Sequence, residues 1–324
     1  MRPFKLVSLA CLVLALACSG SDTTSEPADD GGGNPPPPPP PPPPPQPSVQ
    51  ILIEEGFEDN SLAARGWYDI GTPTTTTAER KNGNGSLQIH FNLGALVSGL
   101  GGMRRLFTPT ESLYISYWVK YSGNWQGSGR PYHPHEFSFL TNVDSMFSGP
   151  AYSHLTAYVE HNYQNGGIPS VALQDGRNVD ESRIGQNLTG VTENRAVAGC
   201  NGSTDGYPDT CYLNGAVHVN GKTWLASAPA FLPNPGPGYK GDWNFVEAYF
   251  QLNTIQNGVG QTNGIIRYWF NGQLVLNLTN VLLRTGAHPA MRFNQLLVLP
   301  YIGDGSPVDQ SAWVDDLRIA TGRP

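Results

Sequence analysis

What most constrains the fold of this chain is a series of short aromatic and β-branched runs separated by stretches rich in glycine and asparagine. Leu113-Tyr114-Ile115-Ser116-Tyr117-Trp118-Val119-Lys120-Tyr121 is the clearest, and Ser122-Gly123-Asn124 closes it as a turn. Similar runs are His154 to His161, Phe245 to Asn253, Ile265 to Phe270, Gln273 to Leu278, Phe293 to Ile302 and Trp313 to Ala320. Asn271-Gly272 falls between two of them and predicts a tight hairpin, because both residues tolerate positive φ. No window longer than about ten residues carries helical periodicity. The pattern predicts an all-β domain, a two-sheet antiparallel β-sandwich with long loops.

Period-two alternation separates a polar from an apolar face. In Phe245 to Asn253 the polar row is Glu247, Tyr249, Gln251 and Asn253, opposite Val246, Ala248, Phe250 and Leu252. In His154 to His161 it is His154, Thr156, Tyr158 and Glu160, opposite Leu155, Ala157 and Val159. Apolar faces close a sandwich core. Rows of Tyr, His, Gln and Asn on adjacent strands supply the planar hydrogen-bonding groups and aromatic platforms that a carbohydrate groove uses, so a polysaccharide is the expected partner. A merely solvated sheet face is the plain alternative. Pro131-Tyr132-His133-Pro134-His135-Glu136 is the densest cluster of functional residue types. His133 and His135 would share one strand face, a spacing that suits a groove, a transition metal or ordinary loop histidines.

The start of the chain predicts export. Arg2 and Lys5 precede an apolar run, Leu6 to Ala17, too short to span a bilayer, so residues 1–17 read as a signal peptide. Ala15-Leu16-Ala17 before Cys18 resembles the bacterial lipobox, which makes Cys18 the lipidation candidate. Ser19 behind it resembles the outer-membrane sorting pattern, and plain cleavage after Ala17 is the alternative. The expected location is an outer-membrane or cell-surface lipoprotein, otherwise a secreted protein, touching a membrane only through that anchor. Residues 18–48 contain eleven consecutive prolines, Pro35 to Pro45, a polyproline II spacer of roughly 35 Å. The folded domain is expected over residues 49–324, as a monomer. Its two cysteines, Cys200 and Cys211, read as one disulfide across a Gly/Asn/Asp-rich loop. Setting aside Arg2, Lys5 and the linker acids Asp22, Glu26, Asp29 and Asp30 from the 19 basic and 26 acidic residues leaves 17 against 22. With no basic run, nucleic acid is excluded as a partner.

Glu55-Gly56-Phe57-Glu58-Asp59, Gly66-Trp67 and the closing Trp313-Val314-Asp315-Asp316-Leu317 together resemble the jelly-roll carbohydrate-binding modules and polysaccharide lyases of the concanavalin A-like superfamily. The resemblance implies that an opening Phe-Glu strand pairs with a closing Asp-Asp strand. It also makes Glu58 and Asp315 candidates for a structural calcium, which takes oxygen ligands. Tyr239 to Glu247, Asn253, Asn263-Gly264 and Arg267-Tyr268-Trp269-Phe270-Asn271-Gly272 are similar to the glucuronan and alginate lyase type. That likeness implies β-elimination. One group neutralises the uronate carboxylate, a base takes the C5 proton and an acid serves the leaving oxygen. The catalytic candidates are His135, Tyr249, Gln251 and Arg267. The substrate-binding candidates are His133, His154, Tyr158, Glu160, Glu247 and Asn253. Tyr249 would need its pKa lowered by a cation such as Arg267. The Arg-x-Glu-x-Arg strand of the best-known alginate lyases is absent, as is the Glu-x-Asp-x-x-Glu strand of related glycosidases. No dinucleotide or phosphate fingerprint occurs, so no organic cofactor is expected. A non-catalytic lectin and a purely structural surface protein stay open beside the lyase.

Overall fold

The computed structural model describes residues 48–128, 135–141, 154–162, 167–174, 213–214, 217–218 and 223–324. By internal contacts the chain divides into Met1–Gln46 and a unit spanning Pro47–Pro324. The second unit is a sandwich of two antiparallel sheets. Across the eight-stranded sheet run β17 (Gln273–Val281), β16 (Gly264–Phe270), β13 (Asn244–Gln251) and β6 (Ser112–Tyr121). It continues through β19 (Gln310–Ala320), β4 (Ser86–Phe91) and β3 (Thr74–Thr76), with β1 (Ile51–Glu55) also paired to β19. The seven-stranded sheet begins β12 (Thr223–Leu225), β9 (Ile168–Gln174), β8 (Thr156–Asn162) and β7 (His135–Leu140). Beyond β7 lie β18 (Phe293–Tyr301), β5 (Met103–Thr110) and β2 (Trp67–Tyr68). Two small hairpins, β10 (Leu213–Asn214) with β11 (Val217–His218) and β14 (Ile255–Gln256) with β15 (Val259–Gly260), stand outside both sheets. The one helical element described is the 3₁₀ turn Leu62–Arg65.

Every run expected from the sequence forms a strand or most of one. β16 and β17 join through Asn271 (φ 48°) and Gly272 (φ 80°), the left-handed pair anticipated for a two-residue hairpin. Asn271 does more than turn the chain: its Oδ1 accepts the Phe245 N–H at 2.8 Å, tying the hairpin to β13. Apolar faces meet between the sheets. Val246, Ala248 and Phe250 of β13, with Ile266 and Tyr268 of β16, pack opposite Phe139 of β7 and Leu296 and Val298 of β18 in one buried cluster. Phe250 touches Phe139 and Phe293, each with ring centres 6.2 Å away. A buried phenylalanine of this kind contributes about 1.5–3 kcal/mol by leaving water.

The opening and closing strands pair, as the resemblance implied, with Glu54 opposite Arg318 and Glu55 opposite Leu317. Glu55 is buried there and works as a three-way acceptor. Its carboxylate takes the N–H of Phe57 (2.9 Å), the indole Nε1–H of Trp67 (2.8 Å) and Nε–H of Arg65 (2.9 Å). Phe57, at φ 53°, and Trp67 are thereby locked together in the core.

Candidate functional site

The two polar rows do not share a groove. Tyr249, Gln251 and Arg267 lie on β13 and β16 of the eight-stranded sheet and point away from the core. Tyr158 and Glu160 lie on β8 of the seven-stranded sheet and point outward on the opposite side. About 10 Å of packed core separates two such sheets, so one sugar residue cannot touch both rows. The expectation that the rows occupy adjacent strands is corrected: alternation identifies a polar face, and non-local pairing decides which sheet carries it. His135 belongs to β7, paired with Tyr301 of β18, hence to the sheet of Tyr158 and not to that of Tyr249 and Arg267. His133, Cys18, Cys200, Cys211 and the side chain of His135 lie outside the described residues.

On the eight-stranded sheet the polar groups are used by one another. Glu247 is buried and accepts the Tyr114 hydroxyl at 2.7 Å and Arg323 at 2.8 and 3.1 Å. The Arg323 guanidinium lies 4.7 Å over the Trp269 ring. Tyr249 donates to Gln251 Oε1 at 3.0 Å, and Arg267 donates to Asn277 at 3.1 Å. Burial pushes the Tyr249 phenol up, outweighing the opposite pull of Ser112 and Arg267. The lowered pKa that would make Tyr249 a base near neutrality is therefore not present. Asn253 is fully buried: its Oδ1 accepts the N–H groups of Leu283 and Arg284, and its Nδ2 donates to the Arg284 and Thr254 carbonyls. All its hydrogen-bonding capacity bolts down a loop.

Burial, and then the hydrogen bond to Glu247, push the Tyr114 phenol well above its ordinary range. The folded chain keeps this proton at a pH where the unfolded chain, titrating at about 10, gives it up. Stability is thus whole below that pH and is lost as pH rises through it. Alkaline melts should fall steeply above about pH 10, and Tyr114→Phe should flatten that fall. Equal slopes for the two proteins would rule out Tyr114 as its source.

The outer face of the seven-stranded sheet is different in kind. In one register row Arg104 of β5 stands opposite Leu297, then Ser138 of β7, Tyr158 of β8 and Ala172 of β9. The neighbouring row holds Gln295, Thr156 and Gln174, and beyond Tyr158 lies Glu160 paired to Ser170. These polar side chains point away from the core, yet Tyr158 is 7% exposed, Arg104 5%, Glu160 4% and Gln295 0%. Tyr158 donates to Gln174 Oε1 at 2.8 Å. Arg104 donates to Gln295 Oε1 at 3.1 Å and pairs with Asp69 at 3.1 Å, while the Gln295 amide donates to the Tyr68 hydroxyl. Burial holds the Arg104 guanidinium below its ordinary value, a sign of charge kept from bulk water. The result is a polar track three strand spacings wide, about 14 Å, with a cation at one end and hydroxyl and carboxylate at the other. Chemically it can hold an anionic group and exchange protons with something bound beside it.

Arg104 and Gln295 were invisible as site residues in the sequence. The doublet Arg104-Arg105 breaks alternation, because Arg105 turns toward the Trp67 ring (5.8 Å) on the other face. Also missed was His161, which faces inward beside Val159. Its Nδ1 meets the Tyr121 hydroxyl at 2.7 Å and its Nε2 the Tyr268 hydroxyl at 2.5 Å.

Glu58 and Asp315 converge on a single turn. Asp315, fully buried, accepts the N–H groups of Lys81 (2.7 Å), Asn82 (3.1 Å) and Asp316 (2.7 Å), and Glu58 accepts that of Asn84. Among the described residues no three His, Cys, Asp or Glu side chains gather as a metal site. The pair fastens residues 81–84.

No protein-family model matches the sequence, and no curated protein matches it. Solved structures do. An alginate lyase from Chlorella virus superposes with a TM-score of 0.52 at 14% identity, over 84% of this chain and 98% of that one. An alginate lyase from Aplysia kurodai matches at a TM-score of 0.49 and 12% identity over 85% and 98% of the two chains. The endo-β-1,4-glucuronan lyase of Trichoderma reesei matches at 0.45 and 14% over 83% and 95%. Identities this low speak to architecture alone, and of the three only the first superposes closely enough to count for it. The chain shares its antiparallel β-sandwich fold with that viral alginate lyase.

Proposed function

We propose that this protein is an exported polysaccharide lyase-like enzyme, held at the outer membrane or cell surface by a lipid on Cys18, that cleaves an acidic glycan by β-elimination. The observation that carries this reading is the polar track of the seven-stranded sheet. Arg104 there supplies the charge to neutralise a uronate carboxylate, which acidifies the C5 proton. Tyr158, on β8, is the proton-transfer group. It removes the C5 proton and returns it to the departing C4 oxygen, leaving a C4–C5 double bond with no water consumed. Withdrawal of the track from bulk water strengthens each of these interactions. Tyr249, Gln251 and Arg267, on the far face, take no part.

The test is ultraviolet absorbance of the new double bond on a panel of uronate polymers. A rise on at least one polymer is expected, and none on any, with the protein folded, would sink the lyase reading. A second reading, glycan capture without cleavage, is favoured by one observation: the groups of the track are already engaged, Arg104 with Asp69 at 3.1 Å and Tyr158 with Gln174 at 2.8 Å. Binding on a glycan array without product, weakened by Tyr158→Ala, is the outcome that would select it.

A further inference from the structure

The outer face of the eight-stranded sheet carries a diagonal aromatic band that the proposed chemistry does not use. Trp313 of β19, Trp118 of β6, Phe245 of β13 and Trp269 of β16 alternate with core residues such as Val314, Val119, Val246 and Tyr268. They therefore point away from the core. Phe245 stands directly opposite Trp118, with ring centres 4.9 Å apart at a tilt of 42°. Trp118, Phe245 and Trp313 are partly exposed. We propose that this face is a second, non-catalytic binding surface for an acidic polysaccharide, which lies on the Trp118–Phe245 pair and meets Lys81 and Arg267 through its carboxylates.

Two independent observations point there. The first is the state of the rings. Lys81 Nζ stands 4.1 Å over the Trp118 ring, and the Arg323 guanidinium 4.7 Å over that of Trp269. A cation over an aromatic face marks a negative quadrupole turned toward solvent. The C–H face of a pyranose carries weak positive charge and is attracted to the same place. The two rings differ in how firmly they are covered. Glu247 holds Arg323 at 2.8 and 3.1 Å, which fixes the cover on Trp269. Lys81 is exposed on its turn, and among the described residues its ammonium has no carboxylate partner. Its flexible stem can swing aside, freeing Trp118 and carrying the charge to an incoming carboxylate.

The second is the balance of charge. The acids of this face are taken: Glu79 by Lys120 at 2.6 Å, Glu247 by Arg323, Glu54 by Arg318 at 2.7 Å and Asp316 by the Asn82 amide. Arg267 donates its Nε–H to the neutral Asn277 amide at 3.1 Å and, like Lys81, has no carboxylate partner among the described residues. The face thus has spare positive charge although the domain as a whole is acidic. Arg267 lies two strands and four residues from Trp118 by register, about 17 Å at the Cα positions. No small anion reaches both ends of such a span, whereas a polymer with a carboxylate on each sugar does. Binding here does not depend on cleavage at the opposite sheet.

The experiment is native gel electrophoresis of the full chain through alginate, glucuronan or, as the uncharged control, hydroxyethylcellulose. It is run in the Tyr158→Phe background so that the polymers stay intact. Retardation by at least one uronate polymer is expected, weakening as salt rises. Adding Trp118→Ala should raise the apparent Kd about tenfold, the worth of one aromatic platform. Lys81→Glu should weaken binding as clearly. It changes an exposed side chain and keeps the backbone N–H that Asp315 accepts, so loss of folding does not obscure the result. Folded protein that no uronate polymer retards, retardation indifferent to both variants, or equal retardation by the uncharged polymer would each overturn the assignment. So would a Trp118-dependent dimer in light scattering, or Trp118-dependent sedimentation with anionic lipid vesicles, without polymer. Ultraviolet assay of the unsubstituted protein keeps the two sites apart. Trp118-dependent retardation without any new double bond would sink the lyase reading and leave this surface standing, and cleavage with retardation indifferent to Trp118 and Lys81 does the reverse.

Discussion

Glu55→Ala is expected to destabilise the domain by about 3–5 kcal/mol and to lower its melting temperature by about 10 °C. The variant removes one carboxylate and orphans three donors, of which the Phe57 N–H and the Trp67 indole N–H are buried. Those donors have nowhere else to turn. Phe57 is held at a positive φ that a non-glycine residue adopts only when its surroundings impose it. Glu54, one residue earlier, provides the control. It pairs with Arg318 at 2.7 Å, but both side chains are largely solvated, and exposed pairs of this kind are worth about 0–1 kcal/mol. Two adjacent glutamates in the same strand should therefore differ several-fold in cost. Equal chemical-denaturation midpoints for Glu54→Ala and Glu55→Ala would contradict the assignment of Glu55 as the acceptor that fixes the strand opening.

The second large effect concerns activity. If the seven-stranded sheet carries the chemistry, Tyr158→Phe should reduce kcat on the cleaved polymer by about 10²–10⁴-fold, the range set by losing a positioned proton-transfer group. Its cost to stability should be small, about 1 kcal/mol, the usual worth of a hydrogen bond such as that to Gln174. Tyr249→Phe is the matched substitution on the opposite face and should leave kcat unchanged. This pair of variants distinguishes the faces without relying on the identity of the glycan. An unaffected Tyr158→Phe beside an inactive Tyr249→Phe would move the site to the eight-stranded sheet.

Much of this architecture could be read from residues. Strands β6, β13 and β16 combine aromatic or β-branched content with clean alternation, and Asn271-Gly272 carries its turn in its own backbone preferences. The candidate site was legible only in part. Glu247 and Tyr158 look alike as polar members of alternating rows, but one serves a C-terminal arginine, Arg323, and the other lies in a track with Arg104. Nothing local separates the cases, since sheet membership depends on pairing partners far away in sequence. Asn253 was misread for a related reason. Its four hydrogen bonds go to backbone groups, three of them thirty or so residues further on at Leu283 and Arg284, and a structural amide has the same composition as one that binds sugar. Glu58 and Asp315, far apart in sequence, do meet at one turn, where both accept backbone amides.

The pairing of β1 with β19 has a topological meaning. Gln50 and Thr321 exchange hydrogen bonds, Gln50 N–H to the Thr321 hydroxyl at 2.9 Å and Thr321 N–H to the Gln50 carbonyl at 2.9 Å. The path of the domain thus returns to where it began, so that it is nearly a closed ring with a single nick between Gln50 and Thr321. A chain of this shape can be reopened at another exposed turn, such as Asn271-Gly272, and still keep every neighbour in both sheets.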